Sequence, residues 1–167
     1  MIDLYRGGWQ LTKVKAMMVF AAVCAAGSIY WAWDLFTTVG LRPADGYGGV
    51  LAPLGVRLAW ALSVAALGLA FLAGMWLFGR RYATRIRYDE AADALHIGTL
   101  EFLVTRTEVH SAADVREALY HHGRMEGSGV EAPWYTLELA NRRGSIVLDA
   151  QGVFPDRALA GKLLKIA

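Results

Sequence analysis

"LAWALSVAALGLAFLAGMWLFGRRYATRIRY", residues 58–88, changes its chemistry two-thirds of the way along. As far as Gly79 it carries no charge, and it is long enough for a spanning helix of about 20 residues. From Tyr82 the period becomes two. Tyr82, Thr84, Ile86 and Tyr88 face one way, Arg85 and Arg87 the other, the pattern of a half-buried strand. The stretch therefore predicts a membrane helix that stops at arginines and hands the chain to a sheet.

Toward the amino terminus the first half of that pattern recurs. "AMMVFAAVCAAGSIYWAW", residues 16–33, is also free of charge. The two runs predict spans at about residues 14–37 and 56–79. The loop 38–55 between them, with several glycines, Pro43 and Pro53, offers turn chemistry only. A chain of 167 residues, 56% hydrophobic and 19% charged, has too little polar protein to wrap two such helices as a soluble core. A cleaved secretory signal is excluded by Lys13 and Lys15, well inside the chain, and by the poor cleavage site in "SIYWAWD".

Basic flanks orient the hairpin. Arg6, Lys13 and Lys15 precede the first span, and Arg80, Arg81, Arg85 and Arg87 follow the second, while the connection between them holds only Arg42 and, at the start of the second span, Arg57, with Asp45 between them. Both termini are expected in the cytoplasm or the mitochondrial matrix. Topology accounts for most of the four exit arginines; they are also the candidates for anionic lipid headgroups. Ala22 and Ala26 on the first span, and Ala66, Ala70 and Gly74 on the second, recur at four-residue spacing. They mark either close helix packing or the general abundance of alanine. Trp31, Trp33, Trp60 and Trp76 suit interfacial anchors.

Beyond the membrane, "ALHIGTL" offers a second strand after the turn "DEAAD". "WYTLELA" and "SIVLD", joined by "NRRG", form the clearest hairpin, with Tyr135, Leu137, Leu139, Ile146 and Leu148 inward. "SAADVREALYHHG" has helix formers but also alternates, and is read as a strand because the sheet needs one there. The chain closes with a helix over 155–166, started by Pro155, with Leu159, Leu163 and Ile166 as its apolar stripe. The predicted fold is α+β: a two-helix transmembrane hairpin in residues 1–80, then an antiparallel sheet of four to five strands closed by one helix in 81–167. The turn Asp149, Gly152, Phe154, Pro155 is the clasp of that domain, with Gly152 expected at positive φ.

Catalytic and metal chemistry is not indicated. His96, His110, His121 and His122 lack ligand spacing, and Cys24 is a single thiol within a span. His110, Ser111 and Asp114 are neighbours without a nucleophile turn. Glycine patterns for nucleotides are absent, no cofactor is implied, and the balanced charge of the domain argues against nucleic acid.

"LYRGGW", the two spans, "FGRRYATRIRY" and "RRGSIVLDAQGVFPD" together resemble the mitochondrial transmembrane protein 223 group, relatives of the transmembrane protein 70 and 186 assembly factors. The resemblance covers nearly the whole chain. It implies a non-catalytic two-pass inner-membrane protein with both termini in the matrix, acting as assembly factor or accessory subunit of a respiratory-chain complex of cytochrome oxidase type. Its implied partners are membrane lipids and subunits of that larger complex. Family members usually carry a targeting extension, whereas "MIDLYRGG" is no transit peptide; processing, a span used as the address, or a bacterial cytoplasmic membrane would each account for that. The alternative is a membrane-tethered pleckstrin-homology-like module that binds lipid or peptide.

Overall fold

The computed structural model describes residues 1–42, 45–123 and 131–166. The chain divides into two compact units, Ala16–Trp76 and, together, Met1–Lys15 with Leu77–Ala167. Met1–Lys15 groups with the sheets in the second of these units.

The first unit holds most of two long helices, α1 (Trp9–Thr38) and α2 (Leu54–Gly79), both long and apolar enough to cross a membrane. Their connection is tied by turns: the Ala52 amide donates to the Val39 carbonyl at 3.0 Å, and the Gly40 amide to Asp45 Oδ2 at 2.8 Å. Small residues bring the helices together. Ala21, Ala25 and Ala32 of α1 are buried, and a Cβ on Gly68 of α2 would collide with the Ser28 side chain and lie 3.2 Å from Ala25 Cα. Phe20 and Phe71 add an edge-to-face ring pair at 6.3 Å. Arg57, at the start of α2, donates to the Phe36 carbonyl at 3.1 Å and lies over its ring.

The described residues of the second unit form seven strands in two antiparallel sheets, where one sheet was expected. β1 (Ile2–Arg6), β2 (Ala83–Asp89), β3 (Ala94–Glu101) and β4 (Val104–Ser111) form the larger sheet in that order. β5 (Val115–His121), β6 (Trp134–Leu139) and β7 (Ile146–Asp149) form the smaller. β1 and β4 lie outside the expected set of strands. The strand reading of 115–121 holds, but a bulge between Val115 and Glu117 breaks its alternation. Val115 is buried and Ala118 packs on the core, whereas Leu119 turns outward.

Both sheets contribute to one core. Leu4, Tyr5, Ile86, Leu95 and Ile97 from the first meet Val115, Leu137, Ile146 and Leu148 from the second. The inward set expected for β6 and β7 is correct. α3 (Arg157–Leu164) packs on β1 and β5 and seals the core with Ala160 and Leu164, while Leu159, Leu163 and Ile166 are partly buried. Asp156 caps this helix, its carboxylate accepting from the Leu159 amide at 2.9 Å. Pro155 therefore stands just before the cap and not at the first helical position. Its helical span is correspondingly shorter than 155–166. At the other end Lys165 adopts a left-handed conformation and its Nζ donates to the carbonyls of Val115 and Arg116 at 2.6 and 3.0 Å.

Candidate functional site

The carboxy-terminal turn and the amino-terminal strand are built against each other. After β7 the Asp149 carboxylate accepts from the Gln151 amide at 2.9 Å, and the Gly152 amide bonds the Asp149 carbonyl at 3.0 Å. The turn then delivers Val153 to Arg6, whose backbones exchange two hydrogen bonds of 2.9 Å. Tyr5 fills the space beneath. Its hydroxyl accepts from the Asp149 amide at 3.0 Å, and its ring packs on Phe154 at 5.1 Å. Gly152 is not at positive φ, contrary to the sequence expectation. The glycine is required by close approach: a Cβ there would stand 2.5 Å from Tyr5 Cε2 and 3.0 Å from the Arg6 carbonyl. Asp149, Gly152 and Phe154 thus gather round Tyr5, whose part the sequence did not reveal.

Behind this clasp lies a largely apolar cavity of about 430 Å³, walled by Val14, Phe78, Trp134 and Val147. Gln10, Tyr82 and Asp149 bring polar side chains to its lining, and the Tyr82 hydroxyl and Asp149 Oδ2 are buried with no hydrogen-bond partner among the described residues. Burial holds the Asp149 carboxyl above the usual carboxylate range, opposed by the Gln151 amide and by Lys13. Burial also pushes the Tyr5 and Tyr82 phenols well above their ordinary range, so both stay neutral.

The four exit arginines separate into two groups. Arg85 is held by Asp3, with Nε and Nη2 donating to the carboxylate at 2.7 and 2.6 Å; Arg6 pairs with the same carboxylate, and Arg87 Nε lies 3.4 Å from it. The Arg85 and Arg6 guanidiniums hold the Asp3 carboxyl far below its usual range. Asp3 therefore occupies two of the arginines expected to be available to lipid. Arg80 and Arg81 instead line a cavity with Arg142 and Arg143 of the β6–β7 turn. Arg142 donates to the Arg80 carbonyl at 2.9 Å and to Glu108 at 3.0 Å.

Within the helical hairpin the seam runs through Ala21, Ala25, Ser28 and Gly68. Ala66, Ala70 and Gly74 are exposed, as is Ala26, and Ala22 is half-buried. A Cβ on Gly74 would meet nothing within 4 Å. The hairpin is thus closed by neighbouring small residues, and the four-residue stripe on α2 faces outward. Trp31, Trp33, Trp60 and Trp76 are exposed as interfacial anchors require. Among the described residues no three His, Cys, Asp or Glu side chains gather in a metal-binding group. His121 stacks on Trp134 at 5.1 Å and His122 meets the Tyr120 ring edge-on. Most of the glycine-rich segment after them lies outside the described residues.

Two candidate spans preceding a β-rich unit clasped to its own amino-terminal strand define a membrane protein with α+β architecture. The chain belongs to the TMEM70/TMEM186/TMEM223 protein family, whose sequence model matches residues 3–163. No curated protein matches it. The matched range begins at Asp3 and runs through the turn that clasps β1, so it spans both halves of that contact.

Proposed function

We propose that this protein is a non-catalytic assembly factor or accessory subunit of a respiratory-chain complex of cytochrome oxidase type. It would reside in the mitochondrial inner membrane with both termini in the matrix, or in the cytoplasmic membrane of a bacterium. Family membership supports the reading at its coarse level. The observation that carries the partner-binding role is the edge of the larger sheet. β4 ends that sheet, and along it and its turn Phe102, Leu103, Val104 and Val109 are exposed. A strand edge with apolar side chains and an unpaired backbone row is a template for a strand from another chain. The pairing of β1 with β2 supports the orientation, because it keeps the segments flanking the two spans in one compartment. Basic residues on those flanks favour the matrix or cytoplasmic side.

Complexome profiling tests the reading. The wild-type chain is expected to comigrate with the oxidase or its assembly intermediates, and Val109→Lys to shift to low mass while thermal stability holds. A wild-type chain found only as a free low-mass species would refute it.

A further inference from the structure

The cavity beside the end of α2 has features that partner docking does not use. It measures about 400 Å³, and four arginines and one glutamate are among the residues that line it. Arg81 and Arg143 are exposed at its mouth. Arg142 lies deeper, with 14% of its side chain accessible, and is fixed by Glu108 and by the Arg80 carbonyl. Its Nη1 is nonetheless buried without a hydrogen-bond partner among the described residues, and so is His110 Nε2, although Glu108 Oε2 lies 3.5 Å from the latter. A guanidinium donor left over after its carboxylate has been satisfied, within a surplus of arginines, calls for a second anion.

The lining also states where that anion comes from. Leu77, in the last turn of α2, forms part of the same wall and is 54% exposed. It belongs to a candidate span that ends at Gly79, so one wall is an apolar surface at the level where a span leaves the hydrocarbon. A soluble phosphate would gain nothing from it. A phospholipid presents a phosphate and the start of an acyl chain together.

We propose that this cavity seats the phosphate of an anionic phospholipid, with Arg81, Arg142 and Arg143 donating to its oxygens and Leu77 meeting the glycerol and first methylenes. His110 donates in its Nε2–H form. Arg85 and Arg87 take no part, because neither lines this cavity. The lipid becomes a fixed ligand of the β-rich unit in addition to being the solvent of the two candidate spans.

The test uses the full chain in detergent supplemented with phosphatidylglycerol or phosphatidylcholine, with retained lipid counted by native mass spectrometry. Selective retention of phosphatidylglycerol is expected. It should fall about fivefold for each arginine removed, and hence by more than tenfold in Arg81→Gln/Arg143→Gln. A charge-matched control, Arg87→Gln/Arg106→Gln, should retain lipid as wild type does. Equal loss in the two double variants would reduce the effect to general surface charge and overturn the site. So would unchanged retention in the first. Displacement of the lipid by millimolar inorganic phosphate would make this a free-phosphate site and overturn the lipid assignment. Should the first double variant unfold, Arg143→Gln alone carries the test through its fivefold loss.

Discussion

The ring of Tyr5 occupies the space that a side chain on Gly152 would need, with Cε2 2.5 Å from the position of a Cβ there. The two residues stand at opposite ends of the sequence. Their contact joins the strand that leads into the first span to the turn that leads into the last helix.

Gly152→Ala should therefore destabilise the β-rich unit by about 1–3 kcal/mol through overpacking. The neighbours at 3.0 Å are backbone carbonyls and cannot swing away. In a Tyr5→Leu background the same substitution should cost measurably less, because the ring edge is gone. Thermal unfolding of the four proteins closes the cycle, and additive losses would remove Tyr5 as the cause.

Tyr5→Phe isolates the polar half of this contact. It keeps the ring against Phe154 and removes the acceptor for the Asp149 amide, at an expected cost of about 1 kcal/mol. Deleting residues 1–6 should do far more, exposing the edge of β2 and unseating α3 while leaving both spans able to insert. Limited proteolysis of membranes would then show the β-rich unit cut and the hairpin retained; an intact unit would show that β1 is dispensable.

Two aspartates should tilt stability with pH in opposite directions. Asp149 is held above the carboxylate range by burial, so its contribution is full below its unfolded value of about 4 and is lost as pH rises through the raised value. Asp149→Asn should thus gain on wild type as pH rises above about 4. Asp3 is held low by Arg85 and then Arg6, so its contribution is present above about pH 4 and disappears as pH falls further. Asp3→Asn should flatten that acid limb. Melting temperatures across pH check both, and parallel slopes for the two variants would contradict the assignment.

The hairpin seam and the outward stripe can be separated. Gly68→Leu should force α1 and α2 apart, because its side chain enters the space of Ser28 and Ala25. Ala70→Leu should leave the hairpin closed, since Ala70 is exposed. Cross-linking of cysteines placed at positions 20 and 71, where the two rings meet at 6.3 Å, reads the closure of the hairpin directly. Loss of cross-linking in both variants would move the seam to the stripe that four-residue spacing had picked out.

Sequence alone determined the features that are local or periodic. The absence of charge from 58 to 79 marked α2, alternation from Tyr82 marked β2, and "NRRG" between two alternating runs marked the β6–β7 hairpin. The glycine at 152 was legible as necessary, though for a conformation it does not adopt. Tertiary structure decided the rest, because those features depend on what lies opposite in space. β1 is short, with two of its five residues charged, and becomes a strand by pairing with β2; β4 is exposed along nearly its whole length and so shows no alternation to read. The seam of the hairpin stands one residue from the expected stripe on α1 and two from it on α2, at Gly68, since lipid supplies no hydrophobic contrast to mark the buried face. Charge pairing is equally nonlocal: four arginines that follow one span within eight residues were divided by Asp3, which comes before the first span, and by Glu108 and Arg142, which come after the second.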